Sequence, residues 1–470
     1  MRKTQTGIAT LVVVASIALI ALLIVFGVSR RAINDIQQAQ ARIKTQEYLS
    51  RAWAGLDCAV AKIYQEGLEL SSGEAAEGLT QLSECQGVAG SRLELAPWPN
   101  NPSLWRLSSH SHQQEVGVTL QGAGGGRAAA FVTSGSALFY GANKWRPAKG
   151  KKREDGRYEC QSIIAGGDVR ISPRKPSEGV PDNEEEKSQN TFSVHLGGGD
   201  ECAPEYKTEV LDYKVADSSD ETRKLLRKDV QTNVKDMDLF QDFFGVPRSQ
   251  WRLAKQQFEE KGGTIVETHG DASKCYESVY NAMEQGSGQP NVKVWVDGPC
   301  DLTPKTFKSP SDSSNKHRNT AILPSDPPVL LVVQDGIMAL RGAINPFNGV
   351  VYQFNPTMNA NKFAEQWGMD SSQGGQVSCT HSNASISELC QHITTNVREP
   401  EQASRVPFWF HGSFKTNGAF IIDVPDGNTV INGSLVANYD DGNKRASFEG
   451  LGQLRPLPNS YYDLTPPSGG

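Results

Sequence analysis

Residues 1–40 read MRKTQTGIATLVVVASIALIALLIVFGVSRRAINDIQQAQ. Two basic residues precede Gly7, and the run from Ile8 to Val28 contains no charge and no proline. A helix that spans a bilayer needs about 20 mainly apolar residues, so this run predicts a transmembrane helix. A secretory signal peptide has a shorter apolar region that ends at a small-x-small cleavage site. That alternative is disfavoured, and a membrane anchor or a segment that packs against similar helices remains.

A second helical pattern follows without interruption. Apolar residues recur at spacings of three and four, apart from one step of six, as on one face of a helix: Ile33, Ile36, Ala39, Ile43, Leu49, Trp53, Leu56, Val60 and Ile63. The first proline is Pro97, so one helix from Ile8 to about Glu66 is predicted, about 90 Å long. The first part of this helix can leave the bilayer only by burial among similar helices. The second part needs a domain to cover the apolar face formed by these nine residues, which we call the stripe.

These features resemble a known family. A short basic leader ending in Gly7, an apolar helical run and an amphipathic helix that carries a globular domain are the layout of type IV prepilins and type II secretion pseudopilins. The Ala/Leu/Val-rich run after the glycine is most similar to PilX-like minor pilins. The resemblance covers the N-terminal segment and implies cleavage between Gly7 and Ile8, methylation of the new N-terminus, and helix packing with other pilins or pseudopilins.

The chain departs from this family at Val12, the fifth residue after the implied cut. Main pilins have a glutamate there, thought to pair with the N-terminal amine of a neighbouring subunit. A buried carboxylate without a partner is costly, so valine removes both a docking contact and an uncompensated charge. Family members that lack this glutamate are typically tip subunits. The resemblance therefore implies a place at the filament tip rather than along the shaft.

The chain has eight cysteines, which fall along the sequence as four neighbouring pairs: Cys58 and Cys85, Cys160 and Cys202, Cys275 and Cys300, Cys379 and Cys390. None forms a Cys-x-x-Cys or has zinc-finger spacing. After a membrane-targeting segment, this pattern predicts four disulfides in an oxidising compartment. Sequential pairing is the preferred connectivity, although spacing alone does not exclude others, and buried free thiols are the alternative.

The basic residues on the two sides of the apolar run predict opposite orientations in the membrane. Arg2 and Lys3 favour a cytoplasmic N-terminus, whereas Arg30 and Arg31 favour the opposite. The cysteine pattern decides between them. We expect a single-pass inner-membrane protein with the bulk of the chain in the periplasm, and later at a filament tip or cell surface.

The predicted fold class is α+β, with a long pilin-like helix that carries a mostly β body and a small helical insertion. The resemblance implies a leader peptide (1–7). Sequence pattern and composition divide the rest of the chain into a transmembrane segment (8–28), an amphipathic continuation of the helix (29–70), a β region (71–145), a loop-rich polar region (146–216), a helical insertion (217–290) and a C-terminal β domain (291–470). The aromatic set Phe240, Phe243, Phe244 and Trp251 could form a binding surface, but large aromatics are usually buried, so core is favoured.

The C-terminal β domain contains three Asn-Gly pairs, at Asn348, Asn417 and Asn432. They could mark a run of hairpins, or corners of a β-solenoid in which each coil buries its neighbour. A sandwich is also open. The solenoid is preferred, because GSALFYG and AGGDVRIS earlier in the chain have the same small-residue rhythm.

No catalytic motif emerges. The glycines from Gly122 to Gly126 lack the Gly-Lys-Ser/Thr ending of a phosphate loop and predict a turn. His110 and His112 supply two ligands, too few for a specific metal site. The segment from Asp440 to Asn443 lacks the other ligands of a calcium loop and is also predicted to be a turn. A solenoid can host polysaccharide-cleaving carboxylates, but Asp423, Asp426, Asp440 and Asp441 lie in turn-like sequence. No enzyme activity, metal or cofactor is predicted.

The net charge of −6 leaves a general nucleic-acid-binding role without an electrostatic basis. Two functions remain. The first is a minor pilin- or pseudopilin-like structural protein at a filament tip that primes assembly, adheres to surfaces, or both. Its partners are other pilins, the inner membrane, and a surface glycan or a host or abiotic surface. The second is a membrane-anchored envelope protein whose β body binds or degrades a polysaccharide.

Overall fold

The structure of the chain is a computed structural model. It describes residues 6–63, 80, 82–87, 90–98, 101–121, 127–172, 190–211, 224–303, 320–321, 327–359, 361–373, 376–397, 400–448, 451, 455–457 and 460–463. These residues form a long apolar helix followed by a largely β body with further helices, so the predicted α+β class is confirmed.

The chain divides into two compact units. Unit 1 contains Met1–Leu68, Gly73–Leu120 and Pro456–Gly470, and unit 2 contains Glu69–Ser72 and Gln121–Arg455. Nearly all of unit 2 is thus inserted, in sequence, between two strands of unit 1. The predicted β region 71–145 is shared by both units.

Unit 1 is a helix with an antiparallel sheet, made of α1 (Thr6–Lys62), β1 (Arg92–Trp98), β2 (Asn101–Ser111), β3 (Gln114–Gln121), β24 (Arg455–Pro456) and β25 (Tyr462–Asp463). The strand order is β1-β2-β3-β24, and β25 also pairs with β3. Alternate residues of β3 (Val116, Val118 and Leu120) are fully buried, as expected where a strand buries one face. The last strands therefore return to the strand that precedes the insertion.

Unit 2 contains the remaining described strands and helices. The strands are β4 (Phe131–Thr133), β5 (Ser136–Tyr140), β6 (Asn143–Arg146), β7 (Ala148–Lys152), β8 (Tyr158–Gln161), β9 (Ile163–Ala165), β10 (Val169–Ser172), β11 (Asn190–Val194), β12 (Val210–Leu211), β13 (Val230–Gln231), β14 (Thr264–Glu267), β15 (Val292–Asp297), β16 (Cys300–Asp301), β17 (Thr320–Ala321), β18 (Val329–Gln334), β19 (Met338–Phe354), β20 (Met369–Gln373), β21 (Gln376–Cys379), β22 (Phe408–Asp423) and β23 (Asn428–Tyr439). The helices are α2 (Leu239–Phe244), α3 (Trp251–Glu260), α4 (Cys275–Gln285), α5 (Asn361–Trp367), α6 (Ala384–Asn396), α7 (Pro400–Ala403) and α8 (Asp441–Phe448).

Sixteen of these strands form one sheet, whose main path is β12-β11-β6-β23-β22-β19-β18-β15-β14. Apart from the pair β11-β12, the pairs along this path are parallel. The early strands β4, β5 and β6 pair with the late strands β22 and β23. The segment that carries α2, α3 and α4 therefore lies, in sequence, between strands of one sheet.

The Asn-Gly pairs do not form hairpins. Gly349 and Gly418 of two pairs are aligned across the parallel strands β19 and β22, and Gly433 of the third pair lies in β23, which is parallel to β22. The φ of Gly349 is 133°, a conformation that favours glycine, and an added Cβ there would lie 2.0 Å from the carbonyl oxygen of Val329. The hairpin interpretation is wrong because these glycines lie within long strands of a parallel sheet, where the chain does not reverse.

The central strands are buried on both sides. Every residue of β18 is buried; Leu331 belongs to one hydrophobic cluster, and Leu330 to a second cluster that includes residues of α2 and α3. Strands covered on both faces are continuously apolar rather than alternating, as in the sequence VLLVV. Phe240, Phe243 and Phe244 are fully buried in the second cluster, against which Trp251 packs, so the prediction that this aromatic set is core is confirmed.

Candidate functional site

The first part of α1 is uncovered in the structure. Every large apolar side chain from Leu11 to Val28 is more than half exposed. From Leu11, α1 contains a window with a mean hydropathy of 3.2, none of it buried, and it is the one helix long and apolar enough to span a membrane in the described part of the chain. This helix could anchor the protein in a membrane as a single span.

The exposed apolar surface continues beyond the length of a membrane span. Ile33, Ile36 and Ile43 are 54%, 57% and 66% exposed. Ile43 lies about 22 Å further along the helix axis than Val28, at 1.5 Å per residue. The expectation that the globular domain covers the whole stripe is therefore wrong, because in unit 1 it covers the later part alone.

The covered part of α1 is the end that packs on β1 and β2. Five side chains there are buried, namely those of Ala52, Leu56, Ala59, Val60 and Ile63. Gly55 makes the closest approach, because an added Cβ would lie 2.0 Å from Ser91 Oγ and 2.8 Å from Ser109 Oγ. Glycine in a helix interior costs about 1 kcal/mol relative to alanine, and here it lets the helix reach the sheet.

Further contacts hold this end of the helix in unit 1. A disulfide joins Cys58 to Cys85. Lys62 Nζ donates to Glu84 Oε2 at 2.6 Å, and this hydrogen bond lowers the pKa of the Glu84 carboxyl. The ring of Tyr48 lies 4.6 Å from that of His112, and the ring of Trp53 lies 6.2 Å from that of Tyr461. Helix, hairpin tip and C-terminal segment are thus joined near one end of α1.

The residues implied by the family resemblance lie at the start of α1. The helix runs through Gly7 and Ile8, although their side chains are outside the described residues, as are residues 1–5. Val12 is 57% exposed. Val12, which the resemblance aligns with the glutamate of main pilins, is therefore on open helix surface.

The predicted disulfides are present with sequential pairing, which is confirmed: Cys58–Cys85, Cys160–Cys202, Cys275–Cys300 and Cys379–Cys390. No cysteine is free, so the alternative of buried thiols is wrong.

The histidine pair is not brought together. His110 Nε2 lies 3.1 Å from Ser108 Oγ and 3.4 Å from Glu94 Oε2, whereas His112 has a φ of 58° in the turn before β3 and contacts Tyr48. No group of three or more His, Cys, Asp and Glu side chains suited to a metal ion occurs among the residues that the structure describes.

The four aspartates also do not converge on one site. Asp423 is buried, where Arg248 Nη1 donates to its Oδ1 at 3.1 Å and the Tyr352 hydroxyl donates to its Oδ2 at 3.2 Å. Burial raises the pKa of the Asp423 carboxyl. Asp440 Oδ1 accepts the Asn443 N–H at the start of α8, so the interpretation of 440–443 as a plain turn is wrong and Asp440 caps a helix. The glycines at 122–126 lie outside the described residues.

Comparison with known proteins adds no assignment. No protein-family model, no curated protein and no solved structure matches this chain.

Proposed function

We propose that this protein is a minor pilin- or pseudopilin-like structural subunit of a type IV pilus or related filament, located at the tip and acting in assembly priming, surface adhesion or both. The proposal depends mainly on the exposed isoleucines beyond the membrane-length segment of α1. Before assembly, the subunit is a single-pass inner-membrane protein with its bulk in the periplasm. Its role is structural rather than enzymatic.

A simple membrane anchor gives these isoleucines no partner. Ile33, Ile36 and Ile43 are exposed on one helix face, past the segment that lipid would cover. Full burial of an isoleucine side chain is favourable by about 1.5–3 kcal/mol. Neighbouring helices in a filament core supply such burial both within the former bilayer segment and beyond it, which makes one continuous packing surface from Leu11 to Ile43.

Val12 supports a tip position. An isolated carboxylate among packed apolar helices is costly unless an amine compensates it, and valine at this exposed position needs no such partner. A subunit at the tip has neighbours on one axial side, so it can dispense with one of the contacts that each shaft subunit makes.

We further propose that the inserted body of unit 2 is a β-solenoid. Its parallel strands carry an asparagine ladder, in which Asn417 Nδ2 donates to Asn348 Oδ1 at 2.8 Å and Asn438 Nδ2 donates to Asn417 Oδ1 at 2.9 Å. Stacking of identical residues on successive parallel strands supports a repeat architecture in which each coil packs on its neighbour. A body of more than 330 residues between two strands of unit 1 is too bulky for regular repetition along a thin shaft, which also favours the tip.

Mass spectrometry of the mature N-terminus tests the filament assignment. We expect an N-methylated Ile8 when the protein is expressed in its natural host, and an intact leader when a prepilin peptidase is absent. An intact Met1 in the natural host, or cleavage near residue 25, would falsify the proposal and would favour an anchored or secreted envelope protein.

A deletion separates priming from adhesion. Leu457 N–H donates to the Thr119 carbonyl at 2.8 Å, so the strands before and after the insertion are neighbours, and a short Gly/Asn turn can replace Gln121–Arg455. Normal filament numbers with lost attachment would identify unit 2 as adhesive, and lost filaments would identify it as a primer. Normal filaments with normal attachment would contradict both roles.

A further inference from the structure

Two exposed cations occupy one row across three parallel strands of unit 2, with a valine on the strand between them. Lys415 of β22, Val436 of β23 and Lys144 of β6 occupy one register position. Lys415 and Lys144 are exposed. Because neighbouring strands lie about 4.8 Å apart, the backbones of these two lysines are separated by about 10 Å, and their side chains leave the same side of the sheet.

Two further basic residues extend this row. Arg146 lies two residues after Lys144, and the burial of β6 alternates so that both point outward while Trp145 points inward. His195 is exposed and follows β11, where its N–H donates to the Trp145 carbonyl at 2.8 Å. The outward residues of the neighbouring segments are uncharged, namely Ser413, Ser434, Asn417 and Asn438. We call Lys144, Arg146, Lys415 and His195 the basic face.

The cations of the basic face are available for a ligand. Among the described residues, Lys144, Arg146 and Lys415 make no ion pair. The outward positions of these strands contain no Asp or Glu that could neutralise them. Because the chain as a whole is acidic, with a net charge of −6, this local excess of positive charge is not a consequence of overall composition.

The basic face adjoins an open cleft of about 810 Å³, which His195 also lines together with Arg157, Lys207 and Arg227. The three acidic residues of the cleft are already in ion pairs. Asp200 lies 2.5 Å from Lys149, Glu201 lies 3.5 Å from Arg157, and Glu209 lies 3.2 Å from Lys207. Arg157 and Lys207 are neutralised by these pairs, so among the described lining residues Arg227 is the Arg or Lys without an acidic partner. The excess positive charge therefore lies on the sheet face and at Arg227, and the cleft volume is in the range of ligand sites.

We propose that the basic face and its cleft bind a linear acidic polysaccharide, and this inference rests on the adhesive role proposed above. An exposed charge pair contributes little to binding, so a small anion that touches one cation binds weakly. A linear polyanion spans cations about 7–10 Å apart and gains by multivalency. Single-stranded nucleic acid is disfavoured, because such proteins stack bases on aromatic side chains and the described outward residues of β6, β22 and β23 include no Phe, Tyr or Trp.

Binding of the full-length protein in detergent to immobilised polygalacturonate tests the inference. We expect saturable binding that weakens as salt is raised, and little binding to neutral dextran. The triple variant Lys144→Gln, Arg146→Gln, Lys415→Gln should bind at least tenfold more weakly. The matched control Lys224→Gln, Lys235→Gln, Lys362→Gln changes net charge equally at exposed cations outside these strands and should stay within twofold of the parent protein.

Three outcomes would overturn the inference: equal loss in the triple variant and its control, equal binding to dextran, or tighter binding to double-stranded DNA than to polygalacturonate. All six substituted side chains are exposed, so unchanged thermal melting is expected and is the check that each variant folds. N-terminal processing at Ile8 is measured separately, so failure of the polysaccharide inference leaves the filament assignment to its own test.

Discussion

Gly55 of α1 lies against Ser91 so closely that an added Cβ would be 2.0 Å from Ser91 Oγ and 2.9 Å from Ser91 Cβ. The amphipathic end of the helix meets the sheet of unit 1 at this point. By contrast, a Cβ added at the helical residue Gly27 would have no other atom within 4 Å apart from its immediate helix neighbours. The contrast shows that Gly55 is required by packing rather than by helix geometry.

Substitution of Gly55 by alanine should destabilise unit 1 although it improves helix propensity. Overpacking costs about 1–3 kcal/mol, whereas the propensity gain is about 1 kcal/mol, so a net loss of about 1 kcal/mol is expected. Chemical denaturation of the full chain in detergent measures it. Gly27→Ala should cause no loss, and Gly55→Ala combined with Ser91→Gly should recover most of the stability. Equal stability of Gly55→Ala and the parent would contradict the close packing.

Removal of the Cys58–Cys85 disulfide should loosen the covered end of α1. The bridge closes a loop with a sequence separation of 27. The lower entropy of the unfolded chain then stabilises the fold by about 3–4 kcal/mol. The double variant Cys58→Ser, Cys85→Ser should expose the helix end to limited proteolysis at lower denaturant concentrations. The control Cys379→Ser, Cys390→Ser removes a bridge of unit 2, and protection of the helix should then be unchanged. If both double variants lost protection of the helix end from proteolysis equally, the Cys58–Cys85 bridge would have no specific role in holding that end.

The exposed isoleucines should be required for assembly rather than for folding. Ile36→Glu with Ile43→Glu places two charges on the stripe, so incorporation into filaments should fall at least tenfold while thermal melting of the isolated subunit is unchanged. Asn34→Glu with Gln38→Glu adds the same charge on the opposite helix face and is the control. Immunoblots of sheared filaments measure incorporation. Similar incorporation of both variants would remove the main support for a helix-packing function.

The Arg248–Asp423 ion pair should be important for the stability of unit 2. Asp423 is buried and Arg248 Nη2 also donates to the Asn355 carbonyl at 2.9 Å. Arg248→Met leaves a buried carboxylate without its cationic partner, so we expect the free energy of unfolding to fall by about 3–5 kcal/mol. Adding Asp423→Asn should restore part of the loss. Arg405→Met breaks an exposed pair with Glu401 and should cost less than about 1 kcal/mol. Denaturation that ranks the two arginine variants equally would contradict this assignment.

Because of Lys444, the free energy of unfolding of unit 2 should rise with pH in the alkaline range. Burial lowers the pKa of its ammonium from near 10.5 to about 8. Between these values the folded state binds fewer protons than the unfolded chain, so the free energy of unfolding rises with pH over this window, by an amount on the order of 3 kcal/mol. Lys444→Met should remove the rise, and exposed Lys362→Met should retain it. Denaturation at pH 7.5 and pH 9.5 measures the difference, and identical slopes in both variants would refute it.

Much of the local structure could be predicted from sequence. The uninterrupted apolar and amphipathic pattern predicted α1 nearly to its observed end at Lys62. The four neighbouring cysteine pairs predicted the disulfides, because the two cysteines of each pair are close in sequence and belong to the same unit. The burial of Phe240, Phe243 and Phe244 also followed from residue type, since an exposed cluster of three phenylalanines is unfavourable in water.

The residues that cover the helix were not predictable in this way. The stripe runs from Ile33 to Ile63 with spacings of three and four apart from one step of six. It is buried at one end and open at the other, and which end is covered depends on where the sheet of unit 1 lies. That sheet is completed by β24 and β25, two-residue strands whose sequence signal is negligible. The basic face was not predictable for the same reason, since strand pairing alone brings Lys144 and Lys415 to one register position.

The sequence by itself determined the elements whose energetics are local: the apolar helix, the disulfide-rich oxidised body, and strands apolar enough to be buried. The tertiary structure alone decided that the C-terminal strands return to β3, that early and late strands share one parallel sheet, and that the isoleucines after Val28 stay uncovered. These features depend on contacts between residues distant in sequence, whose pairing is selected by the packing of the whole unit.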